Sequence, residues 1–176
     1  MKERIINEII RVEGGYANDP ADSGGETNFG IAEAVARANG YAGPMRDMPR
    51  KVAFGIYSAK YWDAVQGDRL VELSEKVAEE VVDTGVNMGT ARAGKFLQRA
   101  LNVLNREAKL YADLTVDGDI GPATLRALSD YLATRGDDAL VKALNCLQGA
   151  FYIELAERRE KDERFVYGWL KNRVTL

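Results

Sequence analysis

The first residues of the chain place apolar side chains at helical spacing. Within residues 2–13 the apolar positions are Ile5, Ile6, Ile9, Ile10 and Val12. Recurrence at intervals of three and four residues predicts a helix with one buried face. Gly14-Gly15 follow directly, and glycine at this place typically ends a helix. The pattern therefore predicts an N-terminal helix over 2–13.

Helical patterns recur along most of the remaining chain. The segment 16–30, YANDPADSGGETNFG, is instead rich in turn-forming residues, which indicates a loop or a short hairpin. Further helices are predicted at about 31–39, 49–63, 70–88, 91–106, 122–134 and 137–163. The predicted fold class is therefore mainly α, with a small loop or β-hairpin after the first helix.

Small residues cluster at 89–94 (GTARAG), between two helical patterns. This cluster predicts a boundary between a region at 1–90 and a second helical region at 91–176. The sequence shows no long linker and no internal repeat. We therefore expect the two regions to pack as one unit.

The composition excludes several kinds of catalytic site. The 176 residues contain no histidine and a single cysteine, Cys146. Ser-His-Asp and Cys-His nucleophile systems, zinc hydrolase sites with imidazole ligands and paired-thiol redox motifs therefore cannot be assembled. A hydrolase built from this chain needs Asp and Glu for proton transfer, which points to glycosidic bonds. Cys146 lies in a helical pattern and is expected to be a buried small hydrophobic residue.

The charge balance argues against some partners. Lys and Arg total 24 and Asp and Glu total 27, for a net charge of -3. This balance is too mild for a nucleic-acid-binding or membrane-surface protein. Charged residues interrupt the N-terminal segment, and no stretch reaches the ~18 apolar residues of a membrane span. We therefore expect neither a signal peptide nor a transmembrane segment.

Glu13 is the leading catalytic candidate. It continues the apolar row that contains Ile6 and Ile9 or Ile10, so the pattern predicts that it is buried. A carboxyl group is costly to ionise in apolar surroundings, and burial would keep it protonated. A neutral carboxylic acid can protonate the oxygen of a departing sugar. The alternative is an ordinary charge at the end of a helix.

A longer run around Glu13 resembles a known family. Glu13-Gly14-Gly15-Tyr16 is followed by Asn18-Asp19-Pro20, Asp22, Gly24-Gly25 and Thr27-Asn28-Phe29-Gly30-Ile31. This run is similar to the EGGY-motif region of glycoside hydrolase family 108, the N-acetylmuramidases of bacteria and phages whose motif glutamate is taken as catalytic. The similarity continues at Tyr61-Trp62-Asp63, Gly67-Asp68, 83–87, Asn145, 147–149 and 165–173. The resemblance implies a lysozyme-like helical fold, peptidoglycan as substrate and Glu13 as the catalytic residue.

A second similarity suggests partners for Glu13. Phage-type lysozymes use Glu, Asp and Thr, with Asp nine residues after Glu and Thr six residues further. Glu13, Asp22 and Thr27 have spacings of nine and five. The similarity implies that Asp22, as base, and Thr27 hold a water on the opposite face of the sugar, with inversion of configuration. A carboxyl separation of about 6.5–9.5 Å would accompany inversion, and one of about 5–5.5 Å retention.

Aromatic faces and amide groups are typical of sugar-binding grooves. The candidates for substrate binding are Tyr16, Tyr57, Tyr61, Trp62, Asn87 and Gln98. The alternative for the aromatic residues at 57, 61 and 62 is a place in the core, because their spacing fits one helical face.

The segment from Val116 to Thr124 reads VDGDIGPAT. It is similar to a DGxxGPxT turn between two helices of peptidoglycan-binding domains. Asp117-Gly118 favours a turn, and Pro122 suits the first turn of a helix. The motif therefore predicts a turn-helix unit, and only the resemblance implies wall binding.

These features predict an endolysin that hydrolyses the β-1,4 bond between N-acetylmuramic acid and N-acetylglucosamine. The prediction includes no cofactor, no metal, a monomer, and neither nucleic acid nor stable membrane association. The enzyme would wait in the host cytoplasm until a separate holin-type pore let it reach the cell wall or periplasm. Two alternatives to this function stay open: a lytic transglycosylase, and a non-catalytic peptidoglycan-binding or secretion-accessory protein. A bacterial or prophage source stays open beside a phage source.

Overall fold

The computed structural model describes residues 1–18 and 25–174. Two compact units divide the chain, Met1–Ala64 and Val65–Leu176. The described residues are mainly helical, with a two-stranded hairpin after the first helix, which confirms the predicted fold class. Within them, no helix combines the length and the apolar character needed to cross a membrane.

The unit Met1–Ala64 begins with the predicted helix, α1 (Lys2–Glu13). It buries Ile5, Ile6 and Ile10, as the apolar spacing predicted. Gly14 then takes a φ of 84°, a left-handed conformation that glycine adopts without steric cost. The helix therefore ends where the double glycine begins.

The described part of this unit contains two further α-helices, α2 (Glu33–Ala38) and α3 (Arg50–Tyr57). A short 3-10 helix at Met45–Asp47 precedes α3, and a π-helical turn at Ser58–Trp62 follows it. Arg50 ties α3 to α1, because its Nε and Nη2 atoms each donate a 3.1 Å hydrogen bond to Asn7 Oδ1. The helix predicted at 49–63 is thus confirmed for 50–57, and it continues as the π-helical turn.

A hairpin lies between α1 and α2 in the chain. Strand β1 (Thr27–Asn28) pairs antiparallel with β2 (Ile31–Ala32). Phe29 and Gly30 connect them with φ values of 52° and 71°. Two successive residues with positive φ are what a two-residue hairpin turn requires, because their twist matches that of the strands. The prediction of a short hairpin is confirmed for these residues.

The helix predicted at 31–39 begins later than expected. Ile31 and Ala32 are apolar and fit a helical pattern, but they pair in β2. Glu33 is therefore the first residue of α2. Strand pairing, a tertiary contact, outweighs the local pattern here.

The unit Val65–Leu176 is built from six α-helices within its described residues. They are α4 (Gly67–Leu73), α5 (Glu75–Met88), α6 (Thr90–Leu104), α7 (Pro122–Arg135), α8 (Asp138–Arg158) and α9 (Glu163–Arg173). Fully buried side chains such as Leu97, Leu101, Leu128 and Leu140 form its core. The helices predicted at 91–106 and 122–134 are confirmed as α6 and α7.

The single helix predicted at 70–88 is wrong. Ser74 takes an extended conformation, with φ of -158° and ψ of 122°, and separates α4 from α5. Its hydroxyl oxygen accepts a 3.2 Å hydrogen bond from the Val77 N–H. Serine is a favoured N-cap residue for this reason. The cap therefore starts a new helix inside a continuous apolar pattern.

The helix predicted at 137–163 is also too long. α8 ends at Arg158, Arg159 takes an extended backbone, and α9 follows after a short 3-10 turn. Trp169 of α9 stacks on Tyr152 of α8, with ring centroids 5.1 Å apart. The chain breaks so that this aromatic contact forms, although the charged residues at the break favour a helix.

The expected burial of Cys146 is wrong, because this residue is exposed. α8 instead buries Asn145 and Gln148 on its inner face. These two amide side chains can be buried because carboxylate oxygens of α5 accept their hydrogen bonds. The inner face of α8 is therefore rotated relative to the face that its small apolar residues indicate.

Candidate active site

Glu13 is the last residue of α1, and its side chain is exposed. The predicted burial of Glu13 is therefore wrong. The apolar row gives the direction of its side chain, but Val12, Gly14 and Gly15 around it are exposed as well. The helix ends at the surface of the unit, so the last position of the row has no covering layer.

The hairpin turn approaches the Glu13 side chain closely at Gly30. A β-carbon at Gly30 would lie 2.8 Å from Glu13 Oε2 and 2.9 Å from Glu13 Cβ. It would also lie 3.0 Å from the hydroxyl oxygen of Tyr57. Only glycine leaves room for this packing, and only glycine adopts its φ of 71° at little cost. The turn thus places backbone directly against the carboxyl group.

Tyr57 holds the other side of the turn. It is buried, and its hydroxyl donates a 2.9 Å hydrogen bond to the Phe29 carbonyl. Burial raises the pKa of Tyr57 far above its usual value, and the nearby charge of Glu13 raises it further. Tyr57 therefore stays protonated and acts as a fixed donor to the turn.

Tyr16, from the EGGY motif, is half-buried beside this turn segment. Its hydroxyl donates a 3.0 Å hydrogen bond to Glu26 Oε1. The Arg46 guanidinium lies over its ring, 5.0 Å from the centroid, at a distance typical of a cation–π contact. The ring is thus held in one orientation by a carboxylate and a cation.

Thr27 lies in β1, next to the segment that follows the EGGY motif. Its N–H and carbonyl exchange two 2.9 Å hydrogen bonds with Ala17. This bridge connects the chain after α1 to the hairpin whose turn contacts Glu13. Asp22, the predicted base, lies outside the residues that the structure describes.

The other predicted substrate contacts differ in exposure. Trp62 is 1% exposed and belongs to the core, while Tyr61 is half-buried and stacks on Tyr57 at 5.5 Å. Asn87 is half-buried, and its Nδ2 donates a 2.8 Å hydrogen bond to the Asp83 carbonyl in its own helix. A place in the core, the alternative to sugar binding, therefore fits Trp62 best, whereas Tyr61 is still partly exposed.

Gln98 is 2% exposed, and its amide holds the DGDIGP turn. Its Nε2 donates to Asp117 Oδ1 at 2.8 Å and to the Asp119 carbonyl at 2.9 Å, and its Oε1 accepts from the Gly118 N–H at 2.8 Å. Both ends of the amide are used within the fold. This environment favours a structural role for Gln98 over the predicted contact with sugar.

A polar cluster in the second unit, with Asn145 and Gln148 buried and its charged residues half-buried, was not predicted as a site. We call it the α5–α8–α9 cluster, and it consists of Glu80, Asp83, Asn145, Gln148 and Arg173. Asn145 Nδ2 donates to Glu80 Oε2 at 2.9 Å, Gln148 Nε2 donates to Asp83 Oδ2 at 3.1 Å, and Arg173 pairs with Asp83 Oδ1 at 3.1 Å. Four of these positions carry the family resemblance, but a local pattern does not show that they meet.

Burial controls protonation in this cluster. It raises the pKa of Glu80 to about 7, with a further contribution from the charge of Asp83 and a smaller opposing one from Asn145. Burial also raises the pKa of Asp83, against the lowering effect of Arg173. Glu80 Oε1 has no hydrogen-bond partner among the described residues. The cluster is therefore the place in this unit where a carboxyl group titrates near neutrality.

The described residues contain no group of three or more Asp, Glu or Cys side chains arranged to hold a metal ion. The prediction of a cofactor-free enzyme stays a prediction. The chemistry that the first unit offers is that of an exposed carboxyl group held by a hairpin turn.

Residues 6–89 match the family model described as Glycosyl hydrolase 108. They belong to this family. The family resemblance read from the EGGY motif is thus confirmed, and the protein is a glycoside hydrolase. Residues 92–174 of the glycoside hydrolase match a second model, described as Predicted Peptidoglycan domain. Together the two matches support a lysozyme-like hydrolase of peptidoglycan.

The glycoside hydrolase also resembles a solved structure, that of SagA from Brucella abortus. The two sequences are 24% identical, and the alignment covers 99% of this chain and 98% of SagA, with a TM-score of 0.58. At this identity the likeness shows the fold alone. No curated protein matches the chain.

The family matches and the compact units divide the glycoside hydrolase at different places. The two family matches meet between residues 89 and 92, whereas the units meet after Ala64. α4 and α5 thus belong to the hydrolase match and to the second unit. The predicted division into 1–90 and 91–176 stays a prediction.

Proposed function

We propose that the glycoside hydrolase is an N-acetylmuramidase with Glu13 as its general acid. It cleaves the β-1,4 bond between N-acetylmuramic acid and N-acetylglucosamine. The observation that carries this proposal is the exposed Glu13 carboxyl at the end of α1, packed against Gly30 of the hairpin. Exposure lets a polysaccharide reach the carboxyl group, and the packing gives it one direction.

Glu13 donates its proton to the oxygen that joins the two sugars. Tyr57 does not compete for this role, because its own proton is donated to the Phe29 carbonyl. A bound glycan chain covers the exposed carboxyl group and excludes water from it.

Water attacks the opposite face of the sugar in this proposal. Asp22 acts as base, and Thr27 helps to position the water, with inversion of configuration. Support for Thr27 comes from β1, which belongs to the hairpin that contacts Glu13. Support for Asp22 rests on the spacing shared with phage-type lysozymes.

The first test replaces the acid. Glu13→Gln should lower the rate of hydrolysis of purified peptidoglycan by about 10²–10⁴-fold, because a positioned general acid contributes about that factor. Glu3→Gln, at an exposed position of the same helix, is the matched control and should keep the wild-type rate. Equal clearing of cell-wall suspensions by both variants would exclude Glu13 as the acid.

The second test separates the proposed reaction from its alternatives. Asp22→Asn and Thr27→Ala should each slow hydrolysis, whereas loss in Glu13→Gln alone would contradict the water-activation scheme. Mass spectrometry of the products should show one water added for each bond cleaved. A 1,6-anhydro end without added water would identify a lytic transglycosylase. Binding of walls by the wild type without cleavage would identify a non-catalytic module.

We also propose that the enzyme is a monomeric phage endolysin, without stable membrane association, that depends on a separate holin-type pore. The hydrolase and peptidoglycan matches and the Glu13–Asp22–Thr27 spacing support this role. Expression in a bacterial host should cause lysis only when a pore-forming membrane protein is produced at the same time. Lysis without the pore protein would contradict this dependence, and lysis by Glu13→Gln with the pore would show that another activity is responsible.

A further inference from the structure

A cavity in the second unit is not used by the proposed reaction. It has a volume of about 570 Å³ and lies between α4, α7 and the turn that precedes α7. This volume is within the ~300–1,000 Å³ typical of sites that hold small ligands. We call this cavity the α4–α7 groove. It contains the end of the DGDIGP motif, Ile120 to Pro122.

The lining of the groove combines aliphatic side chains with positive charge. Leu73, Ile120 and Leu125 supply the aliphatic surface. The charged lining residues are Arg69 and Arg126, with two exposed guanidinium groups, and Glu72, with one carboxylate. None of the described lining residues is aromatic. Sugars are usually bound by aromatic faces, so this lining favours a ligand with methyl groups and negative charge over a bare glycan.

The positive charge in the groove is largely available. Arg126 makes no ion pair with any residue that the structure describes. Arg69 pairs with Glu72 at 3.2 Å, but both side chains are more than 60% exposed, at 65% and 63%. Such a surface pair contributes little energy and can be exchanged for a better partner.

The helix dipole acts in the same direction. α7 starts at the groove with Pro122, and its N-cap, Gly121, has no side chain to cap the first turn. The positive end of the α7 dipole therefore adds to the field of the two guanidinium groups.

The wall of the groove is built in advance of binding. Gln98 holds Asp117, Gly118 and Asp119 by the three hydrogen bonds described above. Gly94 of α6 lies so close to the turn that a β-carbon there would overlap the Gly118 carbonyl oxygen. A preformed site avoids the entropy cost of ordering a loop on binding.

We propose that the α4–α7 groove binds the stem peptide of peptidoglycan through its carboxylates. Arg126 and Arg69 bind the carboxylates of the D-glutamate and of the terminal D-alanine, and the aliphatic wall receives the alanine methyl groups. A stem peptide offers two carboxylates together with several methyl groups. The glycan strand has N-acetyl and lactyl methyl groups, but it has no carboxylate where its lactyl groups are linked to peptide. This inference rests on the proposed function, since it names the part of the polymer that the second unit contacts.

The test uses the full chain with Glu13→Gln, so that binding is measured without cleavage. The synthetic pentapeptide L-Ala-γ-D-Glu-L-Lys-D-Ala-D-Ala is titrated into the isotope-labelled protein and followed by NMR. The amide signals of residues 66–73 and 120–129 should shift. Adding Arg126→Gln should weaken binding on the order of tenfold, because a charge-assisted hydrogen bond is lost. Arg135→Gln, at an exposed position outside the groove on the same helix, should leave the affinity unchanged.

Three results would overturn the inference. They are equal affinities of the Arg126→Gln and Arg135→Gln proteins, shifts confined to residues outside the groove, and equal groove shifts with chitotetraose. If poly(glycerol phosphate) shifts the signals of the groove and the pentapeptide does not, the groove arginines bind another wall polymer. This result would also overturn the inference.

Hydrolysis of peptide-free glycan strands separates this inference from the proposed function. In the active enzyme, Arg126→Gln should bind whole cell walls more weakly than Arg135→Gln does. Failure of the wild type to cleave the strands would count against the proposed function alone.

Discussion

Gly30 is the residue on which the position of the Glu13 carboxyl depends. A β-carbon at Gly30 would lie 2.8 Å from Glu13 Oε2, and the backbone there has a φ of 71°. Gly25 has the same φ of 71°, but none of the described residues has an atom within 4 Å of its added β-carbon. Comparing alanine variants of the two glycines therefore distinguishes the effect of backbone strain from the effect of displacing the Glu13 side chain.

We expect Gly30→Ala and Gly25→Ala to lower the stability of the protein alike, but to differ in their effect on the rate of hydrolysis. Each should lower the free energy of unfolding by about 1–2 kcal/mol, since an L-residue is strained in the left-handed region. Only Gly30→Ala should also lower the rate of peptidoglycan hydrolysis, by on the order of tenfold or more, because the new methyl group displaces Glu13. Urea denaturation and a cell-wall clearing assay give the two readouts. Equal activity of both variants would contradict the proposed contact between the turn and the acid.

At the residue scale, the sequence predicts the helix face on which a side chain lies better than it predicts how exposed that side chain is. The apolar row of α1 identified the face on which Glu13 lies, and the EGGY motif identified its family. Neither shows what covers that face, because the covering elements come from distant parts of the chain. For the same reason Gln98 fits a sugar contact by residue type, although its environment is the inside of a turn.

At the scale of elements, two helical glycines have opposite expected effects. Gly94 of α6 faces the Gly118 carbonyl, and an added β-carbon would overlap it. Gly168 of α9 has nothing within 4 Å of an added β-carbon. Helix propensity alone would make alanine better than glycine by about 1 kcal/mol at both positions.

We expect Gly94→Ala to destabilise the protein by about 1–3 kcal/mol, since the turn must move to admit the methyl group. Gly168→Ala should instead stabilise it by about 0.5–1 kcal/mol. Urea denaturation of the two variants beside the wild type measures both changes. A stabilising effect of Gly94→Ala would show that α6 and the DGDIGP turn are not in close contact.

The elements themselves were largely predictable, and their breaks were not. Periodicity placed α1, α6 and α7 because each has one long apolar face. It missed the break at Ser74, where a side-chain cap interrupts a continuous pattern, and the break after α8, where α9 packs its Trp169 on Tyr152. Both breaks depend on a single contact that a hydrophobic pattern does not contain.

At the scale of the whole molecule, the α5–α8–α9 cluster depends on residues far apart in the chain. Asp83 and Arg173 are 90 positions apart, and Glu80 and Asn145 are 65 apart. The family resemblance includes several of these positions, but only the fold brings them together. Sequence reasoning had no means of predicting that a glutamate on α5 would titrate near neutrality.

Glu80 should make the stability of the protein depend on pH between about 5 and about 7. Its pKa is about 7 in the folded state, where burial and Asp83 disfavour the charged form, against 4.5 for an ordinary glutamate. In that window the folded state keeps a proton that the unfolded state has released. The free energy of unfolding therefore falls as pH rises from about 5 to about 7, and then levels off.

Glu80→Gln removes this titration and keeps an oxygen to accept the Asn145 hydrogen bond. At pH 8 the variant should be more stable than the wild type by about 1–3 kcal/mol, and near pH 5 the two should converge. Urea denaturation at several pH values measures the difference, with Glu157→Gln at an exposed position of α8 as the control. Parallel stability curves for the wild type and Glu80→Gln between pH 5 and pH 8 would contradict the raised pKa of Glu80.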